Sequence, residues 1–197
     1  MKKGKIFIVS GPSGTGKSTV LHALMERREN LHFSVSATTR APREGEVHGK
    51  DYYFLRVEDF QEWIAQGAFL EYAEYTGNFY GTPERFVEET MEQGRDVILD
   101  IEVQGAEQVR RKRADAISIF IAPPSWEELK RRLYGRGAGG EEQVRKRLNR
   151  AREELKEAVN YHYLVVNTTV EEAVRELDAI LTAEHCRPAE QLEEIRL

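Results

Sequence analysis

The sequence predicts an α/β fold with a central parallel sheet covered by helices on both faces, an inserted α+β lobe and a small lid. Four short apolar runs, Ile6 to Val9, Val97 to Ile101, Ile117 to Ile121 and Tyr163 to Val166, are rich in β-branched residues, and several are bounded by Gly, Pro or Asn. The segments between them have helical spacing, and strand alternating with helix is the pattern of a parallel sheet. The stretch from about 36 to 93 breaks that alternation, which marks an inserted lobe.

Taken in order, the first run is followed by a glycine-rich loop and an apparent helix through Val20, Leu21 and Leu24, and Phe33 to Ala37 reads as a fifth strand. In the lobe, aromatic-rich strands at Tyr52 to Leu55 and Phe69 to Tyr75 surround a helix that begins near Val57. Thr82-Pro83 opens another helix, which Gly94 closes. Ser125-Trp126-Glu127-Glu128 and Thr169-Val170-Glu171-Glu172 match the capping box, in which hydroxyl and Glu satisfy orphan amides reciprocally. Six residues from Gly135 to Gly140 include four glycines and interrupt a basic helical region, as a lid hinge would. The expectation is one unit over 1–197: a core of about 1–35, 94–130 and 158–197, a lobe of about 36–93 and a lid of about 131–157.

Composition narrows the function. Hydrophobic residues are 40% and charged residues 32% of the chain, enough for a core and too rich in apolar side chains for a disordered protein. No run approaches the ~20 apolar residues of a bilayer span, and Met1-Lys2-Lys3-Gly4 leads directly into a strand, so a cytoplasmic protein is expected. The formal net charge of -5 argues against nucleic-acid binding through a global positive field. The single cysteine, Cys186, cannot form an internal disulfide.

Gly11-Pro12-Ser13-Gly14-Thr15-Gly16-Lys17-Ser18 fits the Walker A pattern directly after a strand and before a helix. Small residues let successive backbone N–H groups close around phosphate oxygens, and the positive end of a helix lies behind them. Lys17 adds a charge and Ser18 a Mg²⁺ ligand. The expected fold is therefore the three-layer P-loop nucleotide-binding one. The loop alone does not separate kinases from GTPases and ATPases.

In Thr38-Thr39-Arg40-Ala41-Pro42-Arg43-Glu44-Gly45-Glu46, two arginines flank a stiffening proline and can converge on one phosphate. A solvated polar turn is the plainer alternative for these residues alone. Tyr52 and Tyr80 offer phenolic donors. Asp100 ends an apolar strand, where open α/β sheets place their ligand crevice, and can orient Mg²⁺ through water.

The sequence closely resembles the guanylate kinase family. The likeness runs through Gly11 to Thr19, Ser34 to Arg43, Gly49-Lys50-Asp51-Tyr52, Gly77-Asn78-Phe79-Tyr80-Gly81, Ile98 to Gly105, Ile121 to Ser125 and Arg132 to Gly137. The resemblance implies Mg²⁺-dependent transfer of the γ-phosphoryl group of ATP to GMP, and to dGMP. It implies that Gly11, Pro12, Ser13, Gly14, Thr15, Gly16, Lys17, Ser18 and Thr19 bind ATP. It further implies that Arg40, Arg43, Tyr52 and Tyr80 hold the GMP phosphate, that Ser36, Glu71 and Thr82 surround guanine, and that Asp100 is shared between metal and acceptor. Lys17, Arg132, Arg136 and Arg147 would neutralise the transferring group.

Guanine presents N1–H and N2–H side by side, and a Glu71 carboxylate can accept from both, whereas adenine offers an acceptor at N1. One departure stands out: the family often has Asn-Asp-Asp after the last strand, where this chain has Asn167-Thr168-Thr169, which makes adenine contacts less secure. Two rivals remain at this stage, a catalytically silent scaffold and a kinase for another small phosphate; oligomeric state is open.

Overall fold

Every residue of β1 (Ile6–Ser10) and β8 (Ile117–Ala122) is buried, and β7 (Asp96–Asp100) is buried up to its last residue. Strands covered on both faces carry continuous apolar runs, which is why these segments contain no polar alternation. The computed structural model describes residues 3–135, 140–188 and 192. With β2 (Leu31–Phe33) and β9 (Tyr163–Val166) these strands form a five-stranded sheet in the order β2-β7-β1-β8-β9. The pairings of β7 with β1 and β2 are parallel, with Ile6 opposite Val97 and Leu31 opposite Asp96. The mixed α/β fold with a central parallel sheet is the expected one.

The second sheet has four strands in the order β4-β3-β6-β5, built from β3 (Ala37–Thr38), β4 (Tyr53–Phe54), β5 (Phe69–Tyr75) and β6 (Asn78–Pro83). Two expectations are corrected here. Phe33 to Ala37 is not one strand: β2 ends at Phe33 on β7, and Ala37 pairs with Tyr53 and Gly81 in the other sheet. One short extended segment cannot serve both ladders, so the chain changes sheets across 34–36. The helix expected at Thr82-Pro83 is present with Pro83 as its N-cap, but both residues also finish β6, so α3 (Glu84–Glu92) starts one residue after the proline. The cause is a hairpin closed by Thr76 (φ 52°) and Gly77 (φ 75°), which pairs Tyr75 with Asn78 and extends the ladder to Phe69 and Pro83. Proline is tolerated at a strand end because no further ladder donor is needed there.

The remaining helices are α1 (Lys17–Met25), α2 (Val57–Ala65), α4 (Val103–Lys112), α5 (Trp126–Gly135), α6 (Glu141–Lys156) and α7 (Val170–His185). The helix starts at α5 and α7 are capped as expected, by Glu128 N–H to Ser125 Oγ (3.1 Å) and Glu172 N–H to Thr169 Oγ1 (3.2 Å). The return half of each capping box is absent. The Glu128 carboxylate pairs with Arg131 and Arg132, and that of Glu172 accepts from the Thr168 and Thr169 hydroxyls.

The chain divides into two compact units. The first comprises Met1–Ser10, Asn30–Ile119 and Asn160–His162; the second comprises Gly11–Glu29, Phe120–Val159 and Tyr163–Leu197. The lobe read from sequence lies within the first, and the lid within the second. In the first unit, Ile6, Ile8, Leu70, Val97, Leu99 and Val109 form one core, while Phe60, stacked on Phe69 at 4.4 Å, forms another beneath the four-stranded sheet. Truncating such a ring to Ala would cost about 3–5 kcal/mol. In the second unit α1 packs on α7, burying Leu21, Leu24, Val174 and Leu177, and Leu129, Leu133, Val144 and Ala151 join α5 to α6. No described helix is long and apolar enough to cross a membrane.

Candidate active site

The phosphate loop belongs to the second unit. It runs from Gly11 to Gly16, and Gly16 is the N-cap of α1 with φ 88° and ψ 14°. Only glycine adopts that left-handed conformation without strain. A side-chain carbon there would also lie 2.6 Å from Asn167 Nδ2. No side chain caps α1, and its first turn holds no acidic residue. A helix start without its own acidic cap is disposed to receive an anion. Lys17 is half-buried, and Ser18 and Thr19 are exposed on that first turn.

Two of the predicted arginines reach this loop. Arg132, on α5, donates from Nη1 to the Thr15 carbonyl (2.9 Å), from Nη2 to the Asn167 carbonyl (3.3 Å) and from Nε to Glu128 (2.7 Å). Arg147, on α6, donates from Nη2 to Ser13 Oγ at 2.6 Å. Arg131 first, then Arg132, pulls the Glu128 carboxyl down to about 2, so it stays anionic and keeps Arg132 oriented. Arg136 lies outside the described residues.

Asn167 was not singled out from the sequence as a site residue. Its side chain is buried and donates from Nδ2 to the same Thr15 carbonyl at 2.7 Å, so one loop oxygen accepts from two side chains. The available signal was an amide placed directly after a strand in a nucleotide-binding sheet. A cavity of about 550 Å³ opens beside the loop, lined by Gly14, Gly16, Thr19, Arg132, Asn167 and Thr169 among others. That size suits a nucleoside.

The acceptor residues lie in the first unit: Glu71, Tyr80 and Thr82 on the four-stranded sheet, Ser36, Arg40, Arg43 and Tyr52 in the segments that flank its strands, and Asp100 at the end of β7. Arg40 donates from Nη1 to the Ala41 carbonyl (2.7 Å) and from Nη2 to Glu46 (2.8 Å). Its guanidinium carbon stands 5.5 Å from the Tyr52 ring centroid, and Tyr52 meets Tyr80 edge-on at 6.2 Å. Arg40, Tyr52 and Tyr80 therefore form one cluster. Arg43 joins it only through its backbone amide, which donates to Glu46 (2.7 Å); its side chain is exposed and makes no hydrogen bond among the described residues. Glu46, held as an anion by Arg40 and then by the Arg43 amide, is the organiser missed from sequence. The signal was an acid closing a turn that begins with two arginines.

Glu71 on β5 and Thr82 on β6 are opposite one another in the hairpin. Thr82 donates its hydroxyl to Glu71 Oε1 at 2.7 Å, and the carboxyl residue is only 8% exposed. Burial raises the Glu71 pKa above its ordinary value, while Thr82 opposes that rise. Ser36, half-buried between β2 and β3, accepts the Tyr53 amide at its carbonyl (2.9 Å). Asp100 is exposed at the end of β7.

A family model described as guanylate kinase matches residues 3–184. A guanylate kinase of Halalkalibacterium halodurans is 50% identical over 186 residues, covering 94% of this chain and 91% of that protein. One of Rubrobacter xylanophilus is 52% identical over 181 residues, covering 92% and 95%. The crystal structure of guanylate kinase from Anaplasma phagocytophilum superposes with a TM-score of 0.73 at 38% identity, covering 96% of this chain and 90% of the other. Likeness of this extent, in sequence and in fold, is that of common descent, and the chain belongs to the guanylate kinase family.

Proposed function

We propose that the protein transfers the γ-phosphoryl group of ATP to GMP, and to dGMP, giving ADP and GDP or dGDP without a covalent intermediate. The observation that carries the acceptor is the four-stranded sheet itself. Tyr80 on it joins Arg40 and Tyr52 from the flanking segments in a cation and phenol cluster suited to a phosphate, and the neighbouring strand β5 carries a buried carboxylate suited to the paired donors of guanine. Arg40, Arg43, Tyr52 and Tyr80 hold the phosphate; Ser36, Glu71 and Thr82 surround the base. Adenine at the same place would leave polar groups unpaired, at about 1–3 kcal/mol each.

On the donor side, the residues Gly11, Pro12, Ser13, Gly14, Thr15, Gly16, Lys17, Ser18 and Thr19 cradle the phosphates of ATP. Arg132 commits three of its five N–H groups to the protein, so two remain for phosphate oxygens. Arg147 and, from the family resemblance, Arg136 add charge as the transferring group spreads negative charge over its oxygens. Lys17 contributes from the loop.

The donor set also fits Mg²⁺, which takes one or two protein oxygens and otherwise phosphate and water. No cluster of three or more His, Cys, Asp or Glu suited to a metal occurs among the described residues, whereas the Ser18 hydroxyl is exposed beside the loop and makes no hydrogen bond among them. Ser18, and Asp100 through water, would hold the ion, which when bound supplies charge neutralisation across the β- and γ-phosphates. A cytoplasmic location is part of the same proposal.

The test is ADP release with GMP, dGMP, AMP, CMP and dTMP as acceptors. GMP should be preferred, with dGMP next. No turnover with any of the five would favour a silent scaffold; AMP preferred over GMP would overturn the reading of Glu71.

A further inference from the structure

Strand β5 is the edge of its sheet, and an edge strand exposes main-chain groups that need partners. Here α4 supplies them. Gln108 accepts the Tyr72 amide hydrogen at Oε1 (3.2 Å) and donates from Nε2 to the Tyr72 carbonyl (3.1 Å), so a single side-chain amide acts as a substitute neighbouring strand. One turn on, Lys112 Nζ donates to the Phe69 carbonyl. One turn back, Gly105 is buried against the Glu71 carboxyl: a methyl group on it would lie 2.9 Å from Glu71 Oε2. Positions 105, 108 and 112 are spaced by three and four, which aligns them along one helix face. That face grips the residues on either side of Glu71 and leaves room for its carboxyl beside Gly105.

We infer that Gln108 and Gly105 are positioning residues for base recognition, setting where the Glu71 carboxylate stands and thereby how strongly the 2-amino group of the acceptor base is read. This rests on the reading of Glu71 as the guanine acceptor. Neither residue touches the nucleotide in this scheme. Gln108 pins the Tyr72 main chain, and Gly105 supplies the missing volume behind the carboxylate. The same strip also biases charge, since the Lys112 ammonium favours the Glu71 anion while Glu102, at the start of α4, opposes it.

The experiment measures kcat/KM for GMP and for IMP, which lacks only the 2-amino group, in the wild type and in Gln108→Met, Gly105→Ala and Glu71→Gln. Gln108→Met keeps the side-chain bulk while removing both hydrogen bonds, and thermal melts monitor folding. The GMP/IMP ratio should fall about 5-fold or more in Gln108→Met, through KM for GMP with kcat little changed, and should fall likewise in Gly105→Ala. If one of the two variants fails to fold, the other carries the test. A ratio unchanged in the folded variants, with Glu71→Gln still collapsing it, overturns the positioning role alone. A ratio unchanged in Glu71→Gln overturns the base-reading premise and the proposal with it.

Discussion

The hydroxyl of Thr82 and the carboxylate of Glu71 meet at 2.7 Å across the β5–β6 hairpin, in a place nearly closed to water. A buried carboxylate is costly, and one hydroxyl offsets only part of that cost. Glu71 should therefore be more sensitive to pH and to its neighbours than any exposed acid of the lobe.

For GMP recognition the sign is direct. The anion of Glu71 accepts from guanine, and burial has lifted its pKa above 4.5. KM for GMP should rise as pH falls through that raised value. Thr82→Val removes an interaction that lowers the pKa, so the rise should begin at a higher pH in that variant. Glu128 titrates only near 2, so the lid ion pairs stay intact over this range. A KM for GMP flat between pH 4.5 and 8 in both proteins would contradict this.

For stability the same shift acts in the opposite sense. A carboxyl whose folded pKa is raised contributes stability that is fully present below its unfolded pKa and is lost as pH rises through the folded value. Glu71→Gln, neutral throughout, should be more stable than the wild type at pH 8 by ~1 kcal/mol, with the difference shrinking toward pH 4. Thermal melts across that pH series check it.

On the donor side, Asn167→Ala removes one of two donors from the Thr15 carbonyl while Arg132 keeps the other. Stability should fall by only about 1 kcal/mol, whereas KM for ATP should rise roughly 10-fold with KM for GMP unchanged, because the damage is confined to the loop. Steady-state kinetics with each nucleotide varied separates the two.

Charge neutralisation predicts a different signature. Arg132→Ala and Arg136→Ala should each lower kcat by at least ~100-fold and leave GMP binding, measured by calorimetry, nearly unchanged. Near-normal turnover in Arg136→Ala would refute its assigned role.

Arg40→Lys tests the phosphate cluster. An ammonium cannot reproduce the planar fork that bonds Glu46 and Ala41 while standing over the Tyr52 ring, so KM for GMP should rise ~10-fold or more while KM for ATP holds. Arg43→Lys should cost less than Arg40→Lys, since only the Arg43 backbone is tied in.

Local patterns alone determined the central strands and the phosphate loop, whereas the roles expected of Glu71, Arg132, Arg136 and Arg147 came from the family resemblance. Buried parallel strands must be continuously apolar, and a phosphate cradle must be small, glycine-rich and followed by a helix, so both leave marks in adjacent residues. Tertiary pairing decided the rest. Thr82 and Pro83 carry a helix-start signal, yet the hairpin at Thr76-Gly77 draws them into β6 and the helix begins only at Glu84, because ladder bonds and burial against Phe69 and Glu71 outweigh a local preference. The Phe33–Ala37 segment is split between two sheets for the same reason. Asn167 and Gln108 act through main-chain atoms 152 and 36 positions away in sequence, and no local spacing encodes such contacts. What a side chain holds is settled only when the chain has brought its partner to it.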